Sequence, residues 1–116
     1  MIDVRPCAVR DLRKIKNYLD EQSQNPAVSR RVLRQIVKSY RRLEIFPNLG
    51  ESLTSKIGAP TACRFLVSGK YVIIYETVDD CVIVLRVFDS RRDYLATFLG
   101  KTTADFSADS SDADDE

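Results

Sequence analysis

The chain predicts an α+β domain: an N-terminal strand, an antiparallel helix hairpin, a three-strand antiparallel meander completing one sheet, and a short C-terminal helix. Three patterns carry this reading. Residues 63–68, 71–78 and 81–88 are rich in Val, Ile, Phe and Tyr and are parted only by Ser68-Gly69-Lys70 and Asp79-Asp80; turns that short join antiparallel neighbours. Upstream, two segments repeat apolar residues at helical spacing with basic residues between them, and the link SQNPAV is short enough to fold the second helix back on the first. Helices grouped before strands, rather than alternating with them, imply α+β, with the helices on one face of the sheet.

In chain order, Ile2 to Cys7 alternates (Ile2, Val4) as a short strand that Pro6 ends or confines to an edge. Six residues alone would not hold, so this strand should pair with the meander. In AVRDLRKIKNYLDEQ the residues Ala8, Leu12, Ile15, Tyr18 and Leu19 share one helical face, with Arg10, Arg13, Lys14 and Lys16 elsewhere. Asn25 before Pro26 reads as an N-cap with proline at the first helical position. The second helix then runs from about Pro26 to Phe46, burying Val32, Leu33, Ile36, Val37, Tyr40 and Leu43.

Pro47-Asn48-Leu49-Gly50 stops that helix, and ESLTSKIGAPTA reads as a long loop. The run CVIVLRVF is nearly all apolar and is expected centrally with both faces covered, which makes Arg86 conspicuous; Glu76 or Asp93 is its expected partner if it is buried. Tyr71 and Tyr75 fall on one strand face as core residues. DSRRDYLATFLG predicts a short helix docked by Tyr94, Leu95, Phe98 and Leu99 and stopped by Gly100. Residues 1–100 thus form one domain. Residues 101–116, rich in Asp and Ser, form an acidic tail in which disorder is expected.

Composition bounds the function. The chain has 116 residues, 44% of them hydrophobic, and no apolar run approaching a membrane span, while its first residues carry charges where a signal peptide needs an apolar stretch. A cytoplasmic protein with no membrane partner is expected. Cys7, Cys63 and Cys81 are odd in number, lack C-x-x-C spacing and meet no histidine anywhere in the sequence. Reduced, buried thiols follow, with no metal and no cofactor. Residues 1–100 hold 17 Lys and Arg against 11 Asp and Glu, a balance of +6, whereas residues 101–116 hold one lysine against six acids, −5. A basic body suits a polyanionic partner or simply keeps a small domain soluble. The acidic tail either competes for that basic surface or is a solvated solubility tail.

Three segments, LEIFPNLG, RFLVSGKYVIIYE and VDDCVIVLRVFDSRRD, in this order and spacing resemble the RelE/ParE superfamily of toxins from bacterial type II toxin–antitoxin pairs, over roughly residues 2–99. The resemblance implies a growth-inhibiting toxin that a cognate antitoxin neutralises by covering its sheet or helix hairpin. It also implies one of two mechanisms. RelE-like members are ribosome-dependent mRNA endonucleases, a chemistry that needs a base, a charge clamp on the phosphorane and an acid for the leaving oxygen. ParE-like members bind and inhibit DNA gyrase.

Against the nuclease pattern, Arg64 and Arg91 match basic positions. Leu66 replaces a second basic residue, Val72 replaces the arginine that follows the strand tyrosine (here Tyr71), and Thr97 falls near the C-terminal tyrosine, with Tyr94 an approximate substitute. The resemblance is therefore closer to the ParE-like branch. If the chain cuts RNA, the catalytic candidates are Arg64, Arg91 and Tyr94; for target binding they are Lys56, Arg64, Arg86, Arg91 and Arg92. Each has a structural alternative: Arg64, Arg91 and Arg92 ion-paired with Asp89 and Asp93, Arg86 in a fold-defining bridge, and Lys56 as an ordinary loop lysine. A non-toxic relic that only binds antitoxin fits the missing nuclease groups as well.

Overall fold

Strand β1 (Ile2–Val4) passes through Arg5 directly into helix α1 (Pro6–Ser23), so Pro6 ends the strand by opening the helix. A proline in the first helical turn loses no intrahelical bond, and its fixed φ is already helical. The computed structural model describes residues 1–104, with side chains described through Leu99. Helix α1 closes at Gln24, whose left-handed backbone (φ 54°) lets its N–H donate to the Asp20 carbonyl. Asn25 then caps α2 (Pro26–Arg41), its side-chain oxygen accepting the Ala27 N–H at 3.0 Å. The predicted helix 26–46 is shorter than expected: it tightens into a 3-10 turn at Arg42–Glu44.

The segment expected as a loop contains strand β2 (Glu51–Ser52) and a single turn of helix, α3 (Thr54–Ile57). Strands β3 (Arg64–Ser68), β4 (Tyr71–Val78) and β5 (Cys81–Asp89) form the predicted meander. Gly69 (φ 60°) and Asp79 (φ 54°) supply the left-handed residues that its two-residue turns need. β2 lines the outer edge of β3, with Glu51 opposite Phe65. β1 pairs with β5 in parallel, giving the order β1-β5-β4-β3-β2. The middle strand is therefore β4, not β5. β1 stops at Val4 opposite Val84, so the second half of β5 is paired on one side only, with β4.

β4 is apolar on both faces, so both must be covered, which corrects the expectation of helices on one face. Tyr71 and Ile73 pack with Ala8, Ile36, Val84 and Val87 under the α1–α2 hairpin. Val72 and Ile74 pack on the opposite side with Leu53, Phe65, Leu85 and Phe88, closed by Tyr94, Leu95 and Phe98 of helix α4 (Tyr94–Ala104). Ser39 of α2 and Ser68 of β3 satisfy each other through a buried 2.7 Å hydrogen bond. Helix α4 passes through Gly100 rather than stopping there; glycine costs only about 1 kcal/mol against alanine inside a helix. The rest of the acidic tail, from residue 105, lies outside the described residues. All three cysteines are free; Cys7 is exposed rather than buried, and burial pushes the Cys63 thiol up.

The LEIFPNLG segment is fastened by Tyr75, which is fully buried. Its hydroxyl donates to the Pro47 carbonyl at 2.8 Å and accepts the Gly50 N–H at 2.9 Å. A Cβ on Gly50 would stand 2.5 Å from the Phe65 carbonyl oxygen and 2.8 Å from the Tyr75 ring, so only glycine fits. Tyr75→Phe leaves both backbone groups unpaired and is expected to cost about 1–3 kcal/mol in chemical denaturation. Gly50→Ala is expected to destabilise the same corner by a similar amount through overpacking. An unchanged midpoint in both variants would contradict this account of the corner.

Candidate functional site

A cleft of about 620 Å³ opens between α1, the far end of β5 and the start of α4. Its back wall is a stack that begins with Asp11. This residue lies three positions after Ala8 on the sheet-facing side of α1 and is 7% exposed. The Asp11 carboxylate accepts the Arg86 Nε at 2.7 Å, the Arg86 Nη2 at 3.0 Å and the Val87 backbone N–H at 2.9 Å. The register shift between Ile74 and Tyr75, which leaves Leu85 without a partner on β4, turns β5 so that this edge faces α1. Because β1 has already ended, Asp11 takes the place that the next strand would have held. The expected partners of Arg86, Glu76 and Asp93, are thus overturned: Glu76 sits opposite Ile83, and Asp93 instead caps α4, accepting the Ala96 N–H at 3.3 Å.

From that pair the stack continues outward. The Arg86 guanidinium carbon lies 4.5 Å from the centroid of Phe88, and Phe88 stacks on Tyr94 at 6.1 Å between centroids. A cation over an aromatic face contributes about 0.5–2 kcal/mol depending on desolvation, and the stacked rings anchor the first turn of α4. At the mouth, Asp89 clasps Arg91 at 3.0 and 2.7 Å and also accepts the Arg91 backbone N–H. The Arg91 side chain therefore holds the Asp89 carboxyl below the usual carboxylate range, and Asp89 in turn pushes the Arg91 guanidinium up. Burial first, and then the Asp89 charge, push the Tyr71 phenol up, so it stays protonated at neutral pH.

Of the residues singled out in the sequence, Arg86, Arg91, Arg92 and Tyr94 come together here, with Thr97 beside them. Arg64 and Lys56 do not. Arg64 lies opposite Tyr75, four residues along β4 from Tyr71, roughly 13 Å at strand rise. Its guanidinium donates to the Gly50 carbonyl at 2.7 Å, making it a structural brace of the LEIFPNLG corner instead of the expected partner of an aspartate. The Lys56 ammonium lies 5.0 Å over the Phe65 ring. Val72 is 2% exposed in the core beneath α4, and Leu66 packs under the hairpin, so neither presents a group to the cleft. Residues missed by the sequence reading are Asp11, Lys14 and Tyr18 of α1. Tyr18, placed in the apolar stripe by spacing, is 54% exposed and walls the cleft. The available signal for Asp11 was an acid at the i+3 position after Ala8 on an apolar face. Among the described residues, no three His, Cys, Asp or Glu side chains come together as a metal site, and no helix is long and apolar enough to cross a membrane.

Residues 2–94 match the family model of the ParE toxin of the type II toxin–antitoxin system parDE. Among solved structures, the chain is similar to the chromosomal ParDE toxin–antitoxin system from P. aeruginosa. That match has a TM-score of 0.64 at 17% identity and covers 76% of this chain and 92% of the other. No curated protein matches the chain.

Two predictions follow from the cleft's geometry. Asp11→Ala and Arg86→Ala each strand a buried charge and are expected to cost about 3–5 kcal/mol in urea unfolding. Exposed Arg92→Ala is expected to change stability by about 0.5 kcal/mol or less; equal losses in all three variants would refute the assignment. The second concerns pH. Because the folded Asp89 carboxyl titrates below its unfolded value, the Asp89–Arg91 clasp contributes stability above pH of about 4 that is lost as pH falls through the folded value. Carboxyl NMR titration should show the Asp89 midpoint moving back up in Arg91→Ala.

Proposed function

Since the chain belongs to the ParE toxin family of type II toxin–antitoxin systems, we propose that it is held inactive by a cognate antitoxin in the cytoplasm and, when free, binds and inhibits an essential target such as DNA gyrase. The observation that carries the choice of binding over RNA cleavage is the state of the cleft's arginines. Arg86 and Arg91 are each clasped by a carboxylate, so the charge that would stabilise a phosphorane is already answered in place. Val72 is buried where the nuclease pattern has an arginine, and the sequence contains no histidine to act as acid or base near neutral pH. A ribosome-dependent mRNA endonuclease is the second reading, favoured by one observation: Tyr71, Arg91 and Tyr94 do converge on one cleft.

For the antitoxin, the support is the outer surface of the hairpin. Arg30, Arg31, Arg34, Lys38, Arg41 and Arg42 are exposed there, and Ile45 and Phe46 stand 73% and 58% exposed where α2 ends. An acidic, amphipathic helix or strand complements such a surface.

Three outcomes check these readings. On induced expression in a bacterium, DNA supercoiling is expected to fail before translation does, and programmed ribosomes given the purified protein should keep their mRNA intact. Codon-linked cuts that vanish in Arg91→Ala would establish the endonuclease reading instead, and full growth with neither defect would leave a non-toxic antitoxin binder. A pull-down from the native host with flanking genes intact is expected to return a small second protein; monomer alone would sink the antitoxin proposal.

A further inference from the structure

We propose that the cleft between α1 and α4 takes an extended segment of a partner protein as a further strand, laid parallel to the second half of β5 with an apolar residue beside Phe88. This deepens the reading of the chain as a toxin that acts by binding proteins, and rests on it.

Two backbone groups on the cleft floor carry the argument. Successive residues of a strand turn their N–H and C=O groups to opposite neighbours. The Val87 N–H points away from β4, since it donates to Asp11 at 2.9 Å. The Val87 carbonyl therefore points the same way, and so do both backbone groups of Asp89, two residues on. β1 has ended at Val4 opposite Val84, and no strand of the sheet lies on this side. Of the four groups, two are answered: the Val87 N–H by Asp11, and the Asp89 carbonyl by the Arg92 N–H at 3.1 Å. The Val87 carbonyl and the Asp89 N–H have no hydrogen-bond partner among the described residues. Both residues line the cleft, and Val87 is 2% exposed, so water does not readily replace the missing donor.

The unanswered pair selects both the ligand and its direction. An acceptor followed two residues on by a donor, roughly 6.6 Å apart at strand rise, is what a single residue of a parallel strand meets. Its N–H donates to the first and its C=O accepts from the second. One step earlier, a parallel strand would offer a carbonyl to the Val87 N–H, and there the Asp11 carboxylate already stands. An antiparallel strand would instead bring a carbonyl against that carboxylate and an N–H against the Arg92 N–H, leaving an unmatched group at each end. β1 itself runs parallel to β5, so the incoming segment continues its line across the gap.

Side-chain chemistry follows from the register. The residue bonded in this way lies beside Phe88 and points to the α4 side, toward Phe88, Tyr94 and Thr97. Its two neighbours point to the α1 side, toward Ile15, Tyr18 and Tyr71. Aromatic and aliphatic walls favour apolar side chains at all three positions. Arg86 and Arg91 are paired with Asp11 and Asp89, and recognition through main-chain hydrogen bonds and apolar pockets requires neither to change partner.

The test adds the capped pentapeptide acetyl-Thr-Val-Leu-Val-Thr-amide, at millimolar concentration, to the full-length protein. The Asp89 amide is expected to shift downfield in NMR and to exchange its hydrogen at least about tenfold more slowly. Methylating the peptide's leucine nitrogen removes the donor to Val87 and should weaken binding at least about tenfold. A nitroxide at the peptide's C-terminus should broaden the Ser90 and Arg91 amides, and one at its N-terminus the Asp11 and Arg86 amides. Thr97→Trp, at an exposed α4 position on the cleft, should weaken binding by about tenfold or more, while Arg34→Ala on the outer face of α2 should leave it unchanged. An unmoved Asp89 amide, equal binding of the N-methylated peptide, or the reversed broadening pattern would each overturn the proposal. Cleft occupancy is read in the isolated protein, so its failure is separate from a failure to inhibit growth or supercoiling, which bears on the toxin reading alone.

Discussion

The buried clasp between Asp11 and Arg86 is the contact on which the arrangement of this fold depends. It joins residues 75 positions apart and occupies the point where the sheet runs out of strand. Beyond Val84, β5 has lost β1 as a neighbour, so its Val87 N–H would face the underside of α1 unpaired. The Asp11 carboxylate answers that N–H and the guanidinium together, which makes each partner the condition for burying the other. Replacing both with apolar residues of matching shape would be mild, whereas removing one strands a charge and an amide. The clasp also reaches further than its own contacts. Arg86 lies over Phe88, Phe88 stacks on Tyr94, and Tyr94 begins α4, so the position of the C-terminal helix is set from α1 through a chain of side chains.

What the sequence made legible were the features whose causes are local. Alternation and two-residue turns identify the meander, and a capping Asn25 with Pro26 after it identifies the start of α2, because each signal is written within a few residues. Arg86 could be recognised as a buried charge from its place in an apolar run. Its partner could not, because a one-residue register shift and the early end of β1 decide which way that stretch of β5 faces. For the same reason the candidate site was legible in half. Arg91, Arg92 and Tyr94 are neighbours in sequence and remain neighbours in space. Lys14 and Tyr18 join them only through the docking of α1, while Arg64 and Lys56 are carried to the other end of the sheet. Strand β2 was invisible at two residues, and Tyr18 shows that an apolar helical stripe can be wider than the sheet beneath it.

The family resemblance and the geometry bear on function at different levels. Membership in the ParE family establishes the class of protein, and a shared fold by itself leaves the chemistry open. The residues narrow it. Where the nuclease pattern calls for an arginine on the second meander strand, Val72 faces the interior beneath α4 and completes the packing of Phe65 and Ile74. Restoring the charge there would bury it among apolar side chains, so the position is committed to the core and cannot serve phosphate. Arg64 is likewise committed, holding the Gly50 carbonyl at the corner where the second helix ends.

The remaining cations divide into a fixed set and an exchangeable one, and the division follows from burial. An arginine already paired with a carboxylate recognises a new anion only by changing partners. For Arg86, with its side chain 13% exposed against Asp11 at 8%, the exchange would leave Asp11 and the Val87 N–H unanswered in the interior, so Arg86 contributes field and shape but not contact. For Arg91 the side chain is 61% exposed, and water can solvate Asp89 as the guanidinium turns outward; exposed pairs of this kind hold weakly. The cleft therefore has a rigid back, built from Asp11, Arg86, Phe88 and Tyr94, and a responsive rim at Arg91 and Arg92. Any acidic ligand would meet the rim first and be oriented by the wall behind it. A change at that rim would leave the contact that holds the fold together undisturbed.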